Sequence, residues 1–397
     1  MRRIAVLVVA ILAITAGYYG YARMRNPRYF RPDPNPAAYR GRAPLQYQSY
    51  IGGQQQNEKT SKFEKFPALT EIYAGMPFSE DYYTTRNHQY ALEDIRAIRR
   101  GKPTAFCLTC KTADYSWLLK EMGEANLNAA AFNQVDPRVT HPISCIDCHD
   151  TRTFSLAITR PSLVKGLSKI GIDINQATGA QMRTYACAQC HVEYFFNRST
   201  NELILPWDNG IKPEDIERFF QERNWADWTH PAAGVPLVKI QHPEFENYQG
   251  SVHDRLGVSC ADCHMPQVET DGKAITSHAW ISPLLTIDES CGRCHGGDKQ
   301  ALVRRVQNIQ GEVLTGLKET ADLMGQAAES IQAAVLLSAT SQQLAGARAA
   351  YARAHIRWDW VQSENGNGFH NAALARRLLT EIRQFVNEAI ALAQQGG

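Results

Sequence analysis

No run of alternating β-branched and polar residues is long enough to propose a sizeable sheet. That leaves a mainly α fold with little β structure. Charge of one sign is also missing: 42 Lys and Arg against 40 Asp and Glu give a net +2. No nucleic acid or other polyanion is implied as a partner, and any attraction for an anion has to be local. No cysteine stands alone, because all ten fall into five Cys-x-x-Cys pairs. If each pair has its own task, a disulfide framework has no cysteines left. No Gly/Ser- or Pro-rich break interrupts the stretch that carries the pairs, which therefore reads as one domain. At 397 residues and 44% apolar content the chain can bury one large core or two smaller ones.

The residue after each pair divides one from the other four. Cys107/Cys110 is followed by Lys111, whereas Cys145/Cys148, Cys187/Cys190, Cys260/Cys263 and Cys291/Cys294 are followed by His149, His191, His264 and His295. Cys-x-x-Cys-His is the attachment sequence of c-type haem: two thiols add to the vinyl groups and the adjacent imidazole ligates the iron. Zinc pairs such motifs two by two, and it explains neither an odd number nor the recurring histidine. A redox-active dithiol is expected beside a βαβ pattern, which is absent. Five covalent haems would themselves supply much of the core and hold short segments around them. Lysine in the fifth motif keeps the thioether anchor but changes the axial ligand, so that haem is where chemistry is expected.

The chain begins with Met1-Arg2-Arg3 and an apolar stretch from Ile4 to Ala22, about 19 residues and so between a signal-peptide core and the shortest spanning helix. Residues 1–25 are read as a signal or membrane anchor. The anchor is preferred because no clean small-x-small site follows Ala13 or Ala16. Residues 26–56, rich in Pro, Tyr, Arg and Gln, read as an extended linker, 57–300 as the haem domain, and 301–397 as helices packed on it. Helical periodicity runs from Tyr90 to Arg100 and from Tyr115 to Met122. Two long amphipathic helices carry Leu302, Val306, Ile309, Val313, Leu317 and Met324, then Leu374, Leu378, Ile382, Phe385 and Ala389, with Glu364-Asn-Gly-Asn-Gly368 as a break between them. Having nothing to ligate, these helices are expected to form a homodimer interface.

Four electron-transfer haems closed on both faces need four further histidines. His88, His141, His230, His242, His253, His278, His355 and His370 remain outside the motifs. One Cys-x-x-Cys-Lys followed by four Cys-x-x-Cys-His closely resembles the pentahaem cytochrome c nitrite reductases, which form ammonium. The flanking stretches agree: Thr85-Arg-Asn-His88, Cys190-His-Val-Glu-Tyr194, Lys239-Ile-Gln-His-Pro-Glu244, Ser251-Val-His253, Cys263-His-Met-Pro266, and Arg357-Trp-Asp-Trp360 ahead of Gly368-Phe-His370. The resemblance runs from about Tyr73 to the C-terminus. It departs at Leu108, where the family commonly has Trp, and in the short segment from Arg100 to Cys107.

The resemblance implies a multihaem cytochrome c fold with five covalent haem c groups. His88, His253, His278 and His370 would be distal ligands, with the haem each serves left open. Lys111 would be the proximal ligand of an iron whose other face accepts substrate. An amine ligates only in its neutral form, which the charge of the metal favours. Arg100, on the helix after His88, would bind nitrite, with Arg99 as the alternative one residue away; Tyr194 and His242 would donate hydrogen bonds and protons. Glu193, Tyr194, Lys239 and Gln241 match a calcium site made of a carboxylate, an amide oxygen and two backbone carbonyls, a hydrogen-bonded polar cluster being the alternative. His141, His230 and His355 match no motif and are read as structural. The electron donor implied is a membrane quinol-oxidising multihaem cytochrome. The location implied is the periplasmic side of the cytoplasmic membrane. A hydroxylamine or sulfite reductase of the same family, or a multihaem electron carrier with no substrate, are the alternative functions.

Overall fold

The computed structural model describes residue 15, residues 32–100 and residues 103–396. The expected signal or anchor at 1–25 lies outside these apart from Thr15, and among the described residues no helix is long and apolar enough to cross a membrane.

The expected extended linker is a correction. A single turn, Pro36–Tyr39, is capped by the Asn35 side chain, and helix α1 (Pro44–Gly52) follows with proline in its first turn. Tyr39 and Tyr50 are buried, the Tyr50 hydroxyl donates to the Ile143 carbonyl, and Arg42 donates to the Thr151 carbonyl. The tyrosines that gave this stretch its linker-like composition are its anchors.

Helix α2 (Ala91–Arg96) also ends earlier than the periodicity predicts. The Asp81 carboxylate accepts the Arg99 N–H at 2.8 Å and the Asp81 carbonyl accepts from Arg100 Nη1 at 2.8 Å, drawing the chain off the helix axis. Pro103 lies just beyond and disfavours helix before it. Helix α3 spans Tyr115–Met122, as expected. Among the described residues strand is confined to four antiparallel two-stranded hairpins: β1–β2 (His149–Asp150, Ser155–Leu156), β3–β4 (Phe195–Phe196, Leu203–Ile204), β5–β6 (Trp228–His230, Val235–Leu237) and β7–β8 (Gln267–Thr270, Lys273–Thr276).

Three long helices complete the chain, not two: α4 (Lys299–Leu336), α5 (Ala345–Ser363) and α6 (Ala372–Gly396), packed on one another. The C-terminal half of α5 carries no apolar stripe because every residue from His355 to Ser363 is buried, whatever its polarity. Its neighbours cover that half on all sides, whereas Ala345, Ala349 and Arg353 in the first half are exposed. Val313, Leu317, Met324, Leu378, Ile382 and Ala389 are buried in this same core. The stripes expected to meet a second copy are therefore consumed within the chain, which removes the ground given for a dimer. At Gly316 a Cβ would lie 2.7 Å from Leu379 Cδ1, so glycine leaves room for that side chain between α4 and α6 and a larger residue would make it shift.

Candidate active site

Each cysteine pair sits on or at the end of a short helical turn, where residues three apart face the same way. In two of them the second intervening residue is Asp for a structural reason. Asp147 accepts the Ser144 N–H at 2.7 Å and Asp262 accepts the Ser259 N–H at 2.7 Å, closing the first turn of the motif. All ten thiols are unpaired and line one cavity of about 2580 Å³, together with Lys111, His149, His191, His264, His295, His88, His253, His278 and His370. Pockets for a single drug-sized ligand run to about 300–1,000 Å³. The space is therefore sized for several large groups.

The fold brings the predicted ligands together one to one. His191 faces His88 with ring centroids 6.0 Å apart, His149 faces His278 at 6.2 Å, His295 faces His253 at 6.1 Å, and His264 faces His370 at 6.1 Å. A metal–imidazole bond of about 2 Å, plus about 1.1 Å from nitrogen to ring centre, puts two rings on opposite faces of one iron about 6.2 Å apart. The hydrogen bonds fit as well: His149 Nδ1 meets the Phe154 carbonyl at 2.9 Å and His278 Nδ1 the Thr276 carbonyl at 2.9 Å, which leaves Nε2 for a metal. Of the remaining four histidines, three are held elsewhere or enclosed. His230 bonds the Glu71 carbonyl, His141 bonds Asp114, and His355 is buried against Tyr73 and Trp228.

Lys111 lines the same cavity, and its motif is the one in which no motif histidine is paired with a second ring. Near its motif stand Arg100, Tyr194 and His242, which also line the cavity. The two candidate arginines differ in exposure: Arg99 is exposed, whereas half-buried Arg100 lines the cavity and stacks on Phe78 with its guanidinium carbon 4.1 Å from the ring. Tyr194 and His242 lie 6.4 Å apart, centroid to centroid. Burial pushes the Tyr194 phenol well above its usual range and His242 well below its own. Both therefore stay uncharged near neutral pH.

Behind this wall Glu193 is fully buried. Its Oε2 accepts the Gln241 N–H at 2.6 Å, while Oε1 has no partner. Burial raises the Glu193 carboxyl well above the carboxylate range, and Glu246 adds to the effect. An orphaned buried carboxylate oxygen is what a cation would satisfy. Among the described residues no three His, Cys, Asp or Glu side chains cluster to hold a metal, so the Tyr194 and Lys239 carbonyls and the Gln241 amide would have to supply the rest.

One feature of this wall was not foreseen. The Lys239 ammonium is buried at 2.8 Å from Asp359 Oδ1 and 2.8 Å from Ser363 Oγ, and Asp359 Oδ2 accepts the Ile240 N–H at 2.7 Å. Helix α5 thereby clamps the segment that carries Gln241 and His242. The Arg357-Trp-Asp-Trp stretch was the only sign of it in the sequence.

The cytochrome c552 family profile matches residues 35–396. A cytochrome c-552 of Parabacteroides distasonis is 34% identical over 81% of this chain and 67% of its own length, and that of Porphyromonas gingivalis is 31% identical over 86% and 72%. The solved cytochrome c nitrite reductase catalytic subunit of Desulfovibrio desulfuricans, described with two calcium sites, superposes with a TM-score of 0.85 at 29% identity, covering 92% of this chain and 86% of that one. With a matching profile over nearly all described residues and the multihaem fold of that reductase, this chain belongs to the cytochrome c552 family.

Proposed function

We propose that the protein is an ammonia-forming nitrite reductase carrying five covalent haem c groups, four of them ligated by the His88/His191, His149/His278, His253/His295 and His264/His370 pairs. The observation that carries the reading is the asymmetry of the fifth motif. Four motif histidines each face one partner ring, while Lys111 takes the place of a fifth and shares its cavity with Arg100, Tyr194 and His242.

Reduction of nitrite to ammonium consumes six electrons and eight protons and releases two waters. When bound, haem supplies the electrons and the iron at which nitrogen is reduced. The chain supplies the rest. Arg100 spends one N–H on Asp81 and keeps others for an anion, a fixed positive charge in a largely neutral protein. Tyr194 donates a hydrogen bond to a nitrogen-bound oxygen, and His242 passes protons toward it. The Lys239–Asp359 clamp holds His242 in register. Calcium at Glu193 would fasten the segments bearing Tyr194 and His242 to each other. A membrane quinol-oxidising multihaem cytochrome is the electron donor proposed, and the periplasmic side of the membrane the location.

Electron paramagnetic resonance of the oxidised protein, with and without nitrite, tests this. One high-spin haem whose signal changes on adding nitrite, with one ammonium formed per nitrite under reduction, is the expected result. Five low-spin haems indifferent to nitrite would make the protein an electron carrier. Faster turnover of hydroxylamine or sulfite than of nitrite would reassign the substrate.

A further inference from the structure

The eight paired histidines do not have equal surroundings. His149 and His278 lean on neutral backbone carbonyls, and His88 Nδ1 is buried without a partner. His370 alone among the eight has a carboxylate on its ring: Nδ1 is hydrogen-bonded to Glu364 Oε1. Glu364, 2% exposed, caps the end of α5, and its oxygens also accept the Gly366 N–H at 2.7 Å and the Gly368 N–H at 2.9 Å. The loop is shaped around this contact. A Cβ at Gly366 would lie 2.5 Å from Glu364 Oε1 and 2.8 Å from His370 Nδ1, so any side chain there would force the pair apart. Gln310 bonds the Gly366 carbonyl at 3.1 Å, and Asn365 bonds Glu244, fastening the loop at both edges.

A ligating imidazole that donates to a carboxylate becomes a stronger base and stabilises the oxidised metal relative to the reduced one. A neutral carbonyl does this more weakly. We propose that Glu364 is a positioning residue that lowers the reduction potential of the His264/His370 haem below those of the other three bis-histidine haems. The inference rests on the ligand pairs of the preceding subsection. The place of that haem gives the tuning a use: Cys260 meets Cys187 of the His191 motif, and Cys190 meets Cys110 of the Lys111 motif. The tuned haem thus lies two motifs from Lys111, and a low-potential haem there passes electrons inward without retaining them.

The test is a redox titration of the holoprotein followed by electron paramagnetic resonance, in the wild type, Glu364→Gln, Glu364→Asp and His370→Met. In Glu364→Gln one low-spin haem should rise in potential and change its g-values while the other three stay, and Glu364→Asp should recover part of the shift. In the wild type, one of the four low-spin signals should show the narrower g spread of a strongly donating ligand. Four alike would overturn the inference even if the variants fail to fold. If His370→Met moves one signal and Glu364→Gln leaves that same signal in place, the inference is overturned and the ligand reading survives. If His370→Met moves none, the ligand reading itself has failed and takes the inference with it.

Discussion

Residues 299–396 and the segments before them are held together in different ways. The three C-terminal helices run to 38, 19 and 25 residues and bury Val313, Met324, Ile331, Trp358, Leu378 and Ile382 against one another. Among the described residues before Lys299 no helix exceeds ten residues. Helices shorter than about 12–15 residues do not stand alone in water. Some of these early segments, with Trp207, Ile216 and Phe219, join the core of the bundle. The stretches carrying the motifs instead surround a cavity of about 2580 Å³. Ordinary side-chain packing accounts for the bundle, whereas the motif region needs what its thiols and imidazoles would hold.

The largest effect should come from withholding haem. In the chain matured without it, residues 88–160 and 250–295 should be cut by protease early while fragments from 299–396 persist, as read by mass spectrometry of the digest. Equal protection throughout would erase the contrast between the regions. The next effect is on turnover alone: His242→Asn should lower nitrite reduction about 10²–10⁴-fold, the range for losing a proton-transfer group, with the haem spectrum retained. Loss of haem from that variant would show a packing role in place of a chemical one. Asp359→Ala leaves the Lys239 ammonium buried and unpaired and should cost about 3–5 kcal/mol in denaturant unfolding. The exposed pair Arg376–Glu312 on the bundle surface sharpens the comparison from the other side. Glu312→Gln should change stability by less than about 1 kcal/mol and lose even that in high salt.

Much of the site was legible because covalent attachment is a local property: Cys107 through Lys111 and the four Cys-x-x-Cys-His motifs announce themselves in five contiguous residues. The α4 and α6 stripes were legible because each helix has one wet face. The C-terminal half of α5 was not, since burial on every side from His355 to Ser363 erases periodicity. The clamp between Lys239 and Asp359 joins residues 120 positions apart, and neither residue type signals the other.

The sequence by itself determined the five attachment points, the mainly α class and the odd lysine, because each follows from neighbours along the chain. Only the tertiary structure decided that the His88 ring faces His191, His278 faces His149, His253 faces His295 and His370 faces His264. It also decided that Arg100 and not Arg99 turns inward, and that Glu364 meets the His370 ring. These are encounters between residues on opposite walls of a cavity or around a loop. The chain's composition supplies the partners, but only the path of the backbone sets the distances over which coordination and hydrogen bonding act.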